Sequence, residues 1–197
     1  MDYAFKLQNL IKKNNGIIST KLVTEAGIPR TYLSEFVKKG KLERLERGIY
    51  LADDCYDDEM YRFQIKFTQA IFSHDTALFF YDLTDRDPLK YSVTVKTGVN
   101  TKSIRESGAK VYSIKPGLYE LGLTTAETPN NRIVKTYNME RTICDIIRSR
   151  SQMDIEILTA ALKRYTNRKD KNLPQLMRYA EKFKIQNVLR QYLEVLL

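Results

Sequence analysis

The sequence predicts a mixed α/β (α+β) fold that begins and ends with helices. Three observations support this prediction. Apolar residues recur at helical spacing through the first forty residues. Alternating apolar and polar residues then predict strands over 91–98 (YSVTVKTG) and 110–115 (KVYSIK). Helical spacing returns after residue 138. With 43% hydrophobic residues, the 197-residue chain is long enough to build a substantial core.

The first fifty residues predict three short helices and a hairpin. The first helix, over residues 3–14, ends at Asn14-Asn15-Gly16, and Ser19 or Thr20 can cap the second. The third opens with Pro29 and ends before Gly40. Residues 46–48 (Glu-Arg-Gly) then turn the chain between two short strands. This order is typical of a winged helix-turn-helix, with the hairpin as the wing. We therefore assign residues 1–53 to this domain and 54–197 to an α/β domain with a helical tail.

The third helix buries an apolar stripe and leaves polar residues facing outward. In a winged helix, this helix enters the major groove of DNA, and the residues near its start contact base edges. Arginines of the wing and residues at the start of the second helix are placed to contact phosphates. The residues predicted to face DNA are Ser19, Thr20, Lys21, Arg30, Thr31, Ser34, Lys38, Lys39, Arg44 and Arg47. The alternative is a solvated surface or a protein-contact face.

Charge is unevenly distributed along the chain, whose formal net charge is +9. Residues 1–52 carry 10 Lys and Arg against 5 Asp and Glu, and residues 132–197 carry 14 against 7. Residues 53–131 carry 9 against 12, including an acidic cluster over 53–59. Basic segments favour nucleic acid or another acidic surface as partner.

The remainder predicts helices and strands in mixed order. Residues 60–83 are predicted to be helical in two pieces, and 100–108 a short helix or turn. Further strands are predicted over 119–123 and 132–137. Helices are expected over 139–150, 154–165, 173–183 and 185–196. Within 139–150, Arg141 and Asp145 form an i, i+4 pair, which could be structural or part of an interaction surface.

Residue types that carry catalysis are scarce. The single histidine, His74, precedes an apolar helix, where a hydrogen-bonding role is more common than catalysis. Cys55 and Cys144 are isolated, which argues against structural zinc and for a reducing, cytoplasmic location. Asp82, Asp85 and Asp87 suggest a capped turn rather than a metal site. No phosphate-binding loop or nucleophile elbow occurs, so we predict no metal, no cofactor and no enzymatic activity.

Three segments together resemble a known family. They are the N-terminal winged helix, the stretch SHDTALFFYDL (73–83) and the stretch NMERTICDIIRSR (138–150). In this order and spacing, the sequence is similar to the AbiEi family of antitoxins from bacterial type IV toxin–antitoxin (abortive infection) systems.

The resemblance implies two activities. The winged helix would bind inverted repeats in double-stranded DNA of its own promoter and repress transcription. The C-terminal domain would counteract a nucleotidyltransferase toxin without a stable complex. As a separate hypothesis, motivated by the two basic segments, we expect a monomer in solution and two copies on each operator. The resemblance places antitoxicity among His74, Asp75, Arg141, Thr142, Asp145 and Arg148.

Other interpretations stay open from the residues alone. The C-terminal domain could be a nuclease or a nucleotidyl or phosphoryl transferase, but the predicted strands carry no carboxylate pair. A ligand-sensing transcription factor would need a pocket with convergent polar groups. The basic stretch over 162–172 is either a solvated connection or a second anion contact. No signal peptide or membrane span is predicted, so no membrane partner is expected.

Overall fold

The structure is a computed structural model that describes residues 2–196, with side chains through Glu194. It is a mixed α/β fold, as predicted, and it divides into two compact units. Of the described residues, the N-terminal unit comprises 2–68 and 128–132, and the second comprises 69–127 and 133–196. The first unit thus extends beyond the predicted boundary at residue 53. Among the described residues, no helix has the length and apolar composition needed to cross a membrane.

The N-terminal unit is a three-helix and three-strand arrangement followed by one more helix. Its antiparallel sheet has the strand order β1-β3-β2. Its elements are α1 (Tyr3–Lys13), β1 (Ile17–Ser19), α2 (Thr20–Glu25), α3 (Thr31–Lys38), β2 (Leu42–Glu46), β3 (Ile49–Ala52) and α4 (Glu59–Lys66). Ser19 caps α2, because its hydroxyl accepts a hydrogen bond from the backbone N–H of Leu22 at 3.1 Å. The helix α3 starts at Thr31, so Pro29 lies just before the helix rather than in its first turn.

The core of this unit forms where the apolar faces of the helices meet the sheet. Leu7 on α1, Val23 on α2 and Leu33 on α3 are buried together with Leu42 on β2. These are the faces that helical spacing predicts, so the winged-helix plan is confirmed. The segment 128–132 completes the unit. Arg132 donates hydrogen bonds to the backbone oxygens of Asn15 and Tyr56 at 2.7 and 2.9 Å.

The second unit contains a five-stranded mixed sheet with the order β6-β5-β4-β8-β7. The pairs β4–β8 and β5–β6 are parallel, and β4–β5 and β7–β8 are antiparallel. The strands are β4 (Ile71–Phe72), β5 (Ser92–Lys96), β6 (Lys110–Ile114), β7 (Leu123–Glu127) and β8 (Ile133–Tyr137). The helices are α5 (His74–Phe80), α6 (Lys102–Glu106), α7 (Pro116–Tyr119), α8 (Met139–Arg148), α9 (Ile155–Asn167), α10 (Leu173–Phe183) and α11 (Gln186–Leu196).

Two predictions of secondary structure were wrong. Residues 60–83 are not entirely helical, because the two-residue strand β4 separates α4 from α5 and lies at the centre of the sheet. The strand predicted over 119–123 begins only at Leu123, since Pro116–Tyr119 forms a single helical turn. The helix α8 lies at the centre of the unit, where Ile143, Ile146 and Ile147 have no exposed surface.

Candidate functional site

The N-terminal unit exposes most of the residues predicted to face DNA. Arg30, Thr31, Ser34, Lys38 and Lys39 on or beside α3 are all exposed. On the opposite side of the same helix, Leu33 and Phe36 are 2% and 3% exposed. The buried stripe therefore fixes which side of α3 faces outward. An outward face of this kind, carrying three cations and two hydroxyls, can contact phosphates and base edges.

Hydrogen bonds hold the helices and the wing turn of this unit close together. The backbone N–H of Thr20, at the start of α2, donates to the carbonyl oxygen of Gly48 in the wing turn at 2.8 Å. The guanidinium Nε of Arg30 donates to the hydroxyl of Thr24 on α2 at 3.2 Å. These bonds join the start of α2 to the wing turn, and the start of α3 to the end of α2. Lys38 and Lys39, by contrast, lie at the other end of α3.

The residues predicted to face DNA differ in how exposed their side chains are and in whether they already form hydrogen bonds. Lys21, Arg44 and Arg47 are exposed, whereas Ser19 and Thr20 are half-buried. The hydroxyl of Ser19 is occupied by its capping bond. Arg44 donates a long hydrogen bond, 3.4 Å, to the backbone oxygen of Glu46 beside a bulge in β2. The exposed cations can reorient toward phosphates, and the half-buried hydroxyls are better suited to shaping the backbone.

His74 lies in the second unit, at the start of α5, and it is fully buried. Its imidazole is 3.0 Å from the hydroxyl of Ser73 through Nδ1 and 3.1 Å from the hydroxyl of Ser149 through Nε2. The ring stacks on Tyr112 at 3.5 Å with an interplanar angle of 7°. Burial, followed by Arg148, Lys110 and Arg141, lowers the pKa of His74 well below its ordinary value. The ring is therefore neutral near pH 7 and connects α5 with the end of α8.

Arg141 and Asp145 form an enclosed ion pair on α8. The guanidinium Nε of Arg141 donates to the carboxylate of Asp145 at 2.9 Å, and neither side chain has exposed surface. Nη1 of the same arginine donates to the backbone oxygens of Leu118 and Leu121 at 2.8 and 2.6 Å. The guanidinium also lies 4.0 Å from the centre of the Tyr137 ring. Of the two interpretations of this pair, the geometry favours the structural one.

The other residues of the predicted antitoxicity set differ in accessibility. Thr142 is enclosed, with its hydroxyl donating to the backbone oxygen of Asn138 at 2.9 Å. Asp75 is half-buried, and one of its oxygens accepts from the hydroxyl of Ser92 at 3.3 Å. Arg148 has a side chain that is 28% exposed and lies 3.5 Å from Asp145. The set is thus partly brought together around the end of α8. Asp75 and Arg148 are the members that can contact another molecule.

A polar cleft adjoins this cluster, and it contains residues that the sequence pattern did not single out. Its volume is about 580 Å³. Arg105, Lys110 and Tyr112 line it together with Arg148 and Ser149. Sequence periodicity could not have identified these residues as neighbours, because they are joined by the parallel pairing of β5 with β6 and by the position of the end of α8.

The basic stretch over 162–172 is largely engaged within the second unit. Arg164 pairs with Asp85 and donates to the backbone oxygen of Asp82. Arg168 donates to both carboxylate oxygens of Asp170 and to the backbone oxygen of Tyr81. The remaining cations are Lys171, which donates to a backbone oxygen, and the exposed Lys163 and Lys169.

Asp82, Asp85 and Asp87 lie on the loop between α5 and β5, where Asp85 pairs with Arg164. Within residues 2–196, no group of three or more His, Cys, Asp or Glu side chains is placed to hold a metal ion. The pKa of Asp85 is lowered by its hydrogen bond to Arg164. Cys55 and Cys144 are free thiols, half-buried and buried respectively.

The fold and its surfaces define a two-unit protein, with a basic winged helix followed by an α/β unit. Residues 6–52 match the family described as "Transcriptional regulator, AbiEi antitoxin". The family resemblance is thus confirmed over the winged helix, and it supports a role as an antitoxin and transcriptional regulator.

One solved structure shows the same fold over most of the chain. It is the crystal structure of RV2827C protein from Mycobacterium tuberculosis, with a TM-score of 0.56 and 14% sequence identity. The match covers 92% of this chain and 72% of that one. No curated protein matches the chain.

Proposed function

We propose that the protein is an antitoxin that also represses transcription of its own operon. In this proposal, the winged helix binds inverted repeats in the promoter. The second unit counteracts a nucleotidyltransferase toxin of a type IV, phage-defence operon without forming a stable complex with it. The chain carries out no catalytic reaction of its own.

The observation that carries this proposal is the exposed basic surface of the N-terminal unit. Arg30 and Thr31 lie at the start of α3, where side chains of a recognition helix contact base edges. Arg44 and Arg47 on the wing are exposed cations suited to phosphates or the minor groove. The family match covers these same elements, which gives the surface a regulatory context.

The antitoxin part of the proposal rests on family resemblance and on the position of Asp75 and Arg148. The six-residue set is dominated by enclosed side chains, so most of it would act by maintaining the shape of the second unit. Growth rescue on co-expression with the toxin encoded in the same operon tests this part.

An electrophoretic mobility-shift titration tests the DNA-binding part. Full-length protein is titrated against a fragment from upstream of its own gene at two salt concentrations. The variant Arg30→Ala/Arg44→Ala/Arg47→Ala is expected to bind on the order of a hundredfold more weakly, because it loses one helix contact and two wing contacts. Binding of the wild type is expected to weaken as salt increases.

A matched control removes the same number of charges from exposed positions elsewhere. Arg178, Lys182 and Arg190 lie on α10 and α11 and are exposed. The variant Arg178→Ala/Lys182→Ala/Arg190→Ala should retain specific binding. Equal losses in both variants would indicate non-specific attraction. Absence of specific binding by the wild type at low salt would favour a protein-contact role for the winged helix.

The alternative function is an enzyme in which the second unit is a nuclease or a nucleotidyl or phosphoryl transferase. The mobility-shift experiment would favour it only if the wild type failed to bind and the DNA fragment were cleaved or modified.

A further inference from the structure

The cleft beside His74 has the size of a small-molecule site. It lies within the second unit, between β6, the short helix α6 and the end of α8. Its volume of about 580 Å³ falls in the range of roughly 300–1,000 Å³ that ligand pockets occupy. The proposed DNA-binding surface lies in the other unit, so this cleft shares no residue with it. Of the residues assigned to antitoxicity, Arg148 lines the cleft.

The cleft is basic. Arg105 on α6, Lys110 on β6 and Arg148 on α8 all line it, and the remaining lining residues include the neutral polar Ser113, Ser149 and Gln152. None of the described residues that line it is Asp or Glu. Arg148 is also paired with Asp145 at 3.5 Å, outside the cleft lining. The three cations come from three separate elements, and together they favour an anionic ligand.

Two hydrogen-bond donors of the lining residues lack a partner. The hydroxyl of Tyr112 and the Nε of Arg148 are buried, and neither has a hydrogen-bond partner among the described residues. The Tyr112 side chain is well enclosed, since the residue is only 8% exposed. A buried donor left without an acceptor costs about 1–3 kcal/mol. A ligand that supplies acceptor oxygens would satisfy these donors.

Tyr112 is held in place and keeps its proton. His74 stacks on its ring at 3.5 Å, and the Nζ of Lys110 lies 5.3 Å from the ring centre. Burial, with Asp75 and Asp145 nearby, raises the pKa of the Tyr112 hydroxyl far above its ordinary value. Its hydroxyl is therefore a donor at any physiological pH.

The cations of the cleft are also positioned before any ligand arrives. The Nζ of Lys110 donates to the backbone oxygen of Gln152 at 2.9 Å, which leaves two of its three protons available. Nη2 of Arg105 donates to the backbone oxygen of Val111 at 3.3 Å. Positioned donors reduce the entropy lost on binding.

We propose that this cleft binds a small molecule that carries a phosphate group. A phosphate monoester offers three acceptor oxygens and a charge of about −1.5 to −2 near pH 7, which matches several cations and neutral donors better than a single carboxylate does. The phosphate could belong to a nucleotide or to an inorganic phosphate species. The two sources share the chemistry recognised here and are separated by experiment.

Isothermal titration calorimetry of the full-length protein at low salt, with pyrophosphate, ATP and adenosine as probes, tests the proposal. Pyrophosphate and ATP should bind, and adenosine should not. Similar affinity for both phosphates would indicate that the phosphate group alone is recognised. Markedly tighter binding of ATP would indicate a nucleotide.

Three variants test whether the phosphate probes bind in the cleft. Arg105→Gln and Lys110→Gln should each weaken binding of the phosphate probes by about tenfold or more, since each removes a charge-assisted contact. Tyr112→Phe should also weaken it, without lowering the melting temperature of the free protein, because its hydroxyl has no partner to lose. The control Lys102→Gln/Lys115→Gln removes two exposed charges outside the cleft and should bind as the wild type does.

Several results would overturn the proposal. One is the absence of heat with both phosphate probes up to millimolar concentration. Another is equal weakening by the cleft variants and the control, which would indicate general charge attraction. A third is loss of operator binding in the cleft variants without any phosphate binding, which would assign the cleft to the DNA backbone. A failed mobility shift by the winged helix would leave this experiment unaffected.

Discussion

Arg141 is a charged residue whose role is to stabilise the core. Its guanidinium has no exposed surface, and its charge is compensated by Asp145, two backbone carbonyls and the face of the Tyr137 ring. Removing one partner of a buried ion pair typically costs about 3–5 kcal/mol, because the remaining charge stays buried without compensation. Loss of antitoxicity on substitution of Arg141 would therefore report the fold of the second unit before it reported a contact with any partner.

The buried His74 predicts a pH dependence of stability. Its folded pKa lies well below the ordinary value of 6.5, so the unfolded chain binds a proton that the folded chain does not. The free energy of unfolding should therefore fall as pH decreases below about 6.5, by up to about 1.4 kcal/mol per pH unit. His74→Asn, which tolerates the left-handed backbone at φ 49°, should lack this contribution.

Urea denaturation followed by circular dichroism at pH 7.5, 6.5 and 5.5 provides the measurement. His74 is the only histidine in the chain, so the difference between wild type and variant isolates its titration. We expect this difference to shrink as the pH falls. Parallel curves for the two proteins would contradict neutral burial of the ring.

Some residues of the candidate sites could be predicted from the sequence and others could not, for a physical reason. The cap at Ser19 follows from local sequence, and the structure confirms it. The sequence also marked His74 and Arg148, through family resemblance. Arg105, Lys110 and Tyr112 were missed because their importance arises only when distant segments pack together around one cleft.

At the scale of elements, strong periodicity predicted structure well and weak periodicity did not. The strands β5 and β6 and the helix α8 were predicted from clear alternation or helical spacing. The strand β4 was missed because two apolar residues between helices carry no strand signal. The strand β7 was misplaced because its residues, LTTAE, have no buried face that would produce an apolar stripe.

The turn before β7 offers a test of element packing. Gly122 has a φ of +74°, and a Cβ added there would lie 2.7 Å from the Cβ of Arg141 and 3.1 Å from an oxygen of Asn138. Gly98 has a similar φ of +95°, but nothing lies within 4 Å of its added Cβ. Alanine at Gly98 introduces backbone strain alone, whereas alanine at Gly122 introduces backbone strain and steric overlap.

We expect Gly98→Ala to cost about 1–2 kcal/mol from the left-handed backbone alone. Gly122→Ala should cost a further 1–3 kcal/mol or so, because it also pushes against α8 beside the buried arginine. Urea denaturation of both variants measures the two costs. Equal destabilisation would show that the turn can move away from α8 at no cost in the free energy of unfolding.

At the scale of the whole molecule, the fold class was predictable and the extent of the N-terminal unit was not. Helix order and charge predicted a winged helix followed by an α/β part, and the structure confirms both. The N-terminal unit also includes α4 and residues 128–132, and these join it through long-range bonds such as that from Arg132 to the oxygen of Asn15. No local pattern around residue 132 indicates such a partner.

The separation of basic charge into two segments raises a further hypothesis about DNA binding. Residues 1–52 carry 10 basic against 5 acidic residues and residues 132–197 carry 14 against 7, which suggests that both segments approach the DNA. Much of the second excess is already paired, as with Arg164 and Arg168. Within the stretch 162–172, the exposed Lys163 and Lys169 are the cations left for a contact with DNA.

The salt dependence of operator binding by full-length protein tests this hypothesis. The logarithm of the affinity falls linearly with the logarithm of salt concentration, with a slope of about 0.9 for each phosphate contact. Lys163→Ala/Lys169→Ala should lower the slope by about 2 for each bound protomer, and the Arg30/Arg44/Arg47 variant should lower it by up to about 3. An unchanged slope in the lysine variant, with the expected decrease in the arginine variant, would exclude the stretch 162–172 as a second DNA contact. The phosphate contacts detected by the salt dependence would then be those of the winged helix.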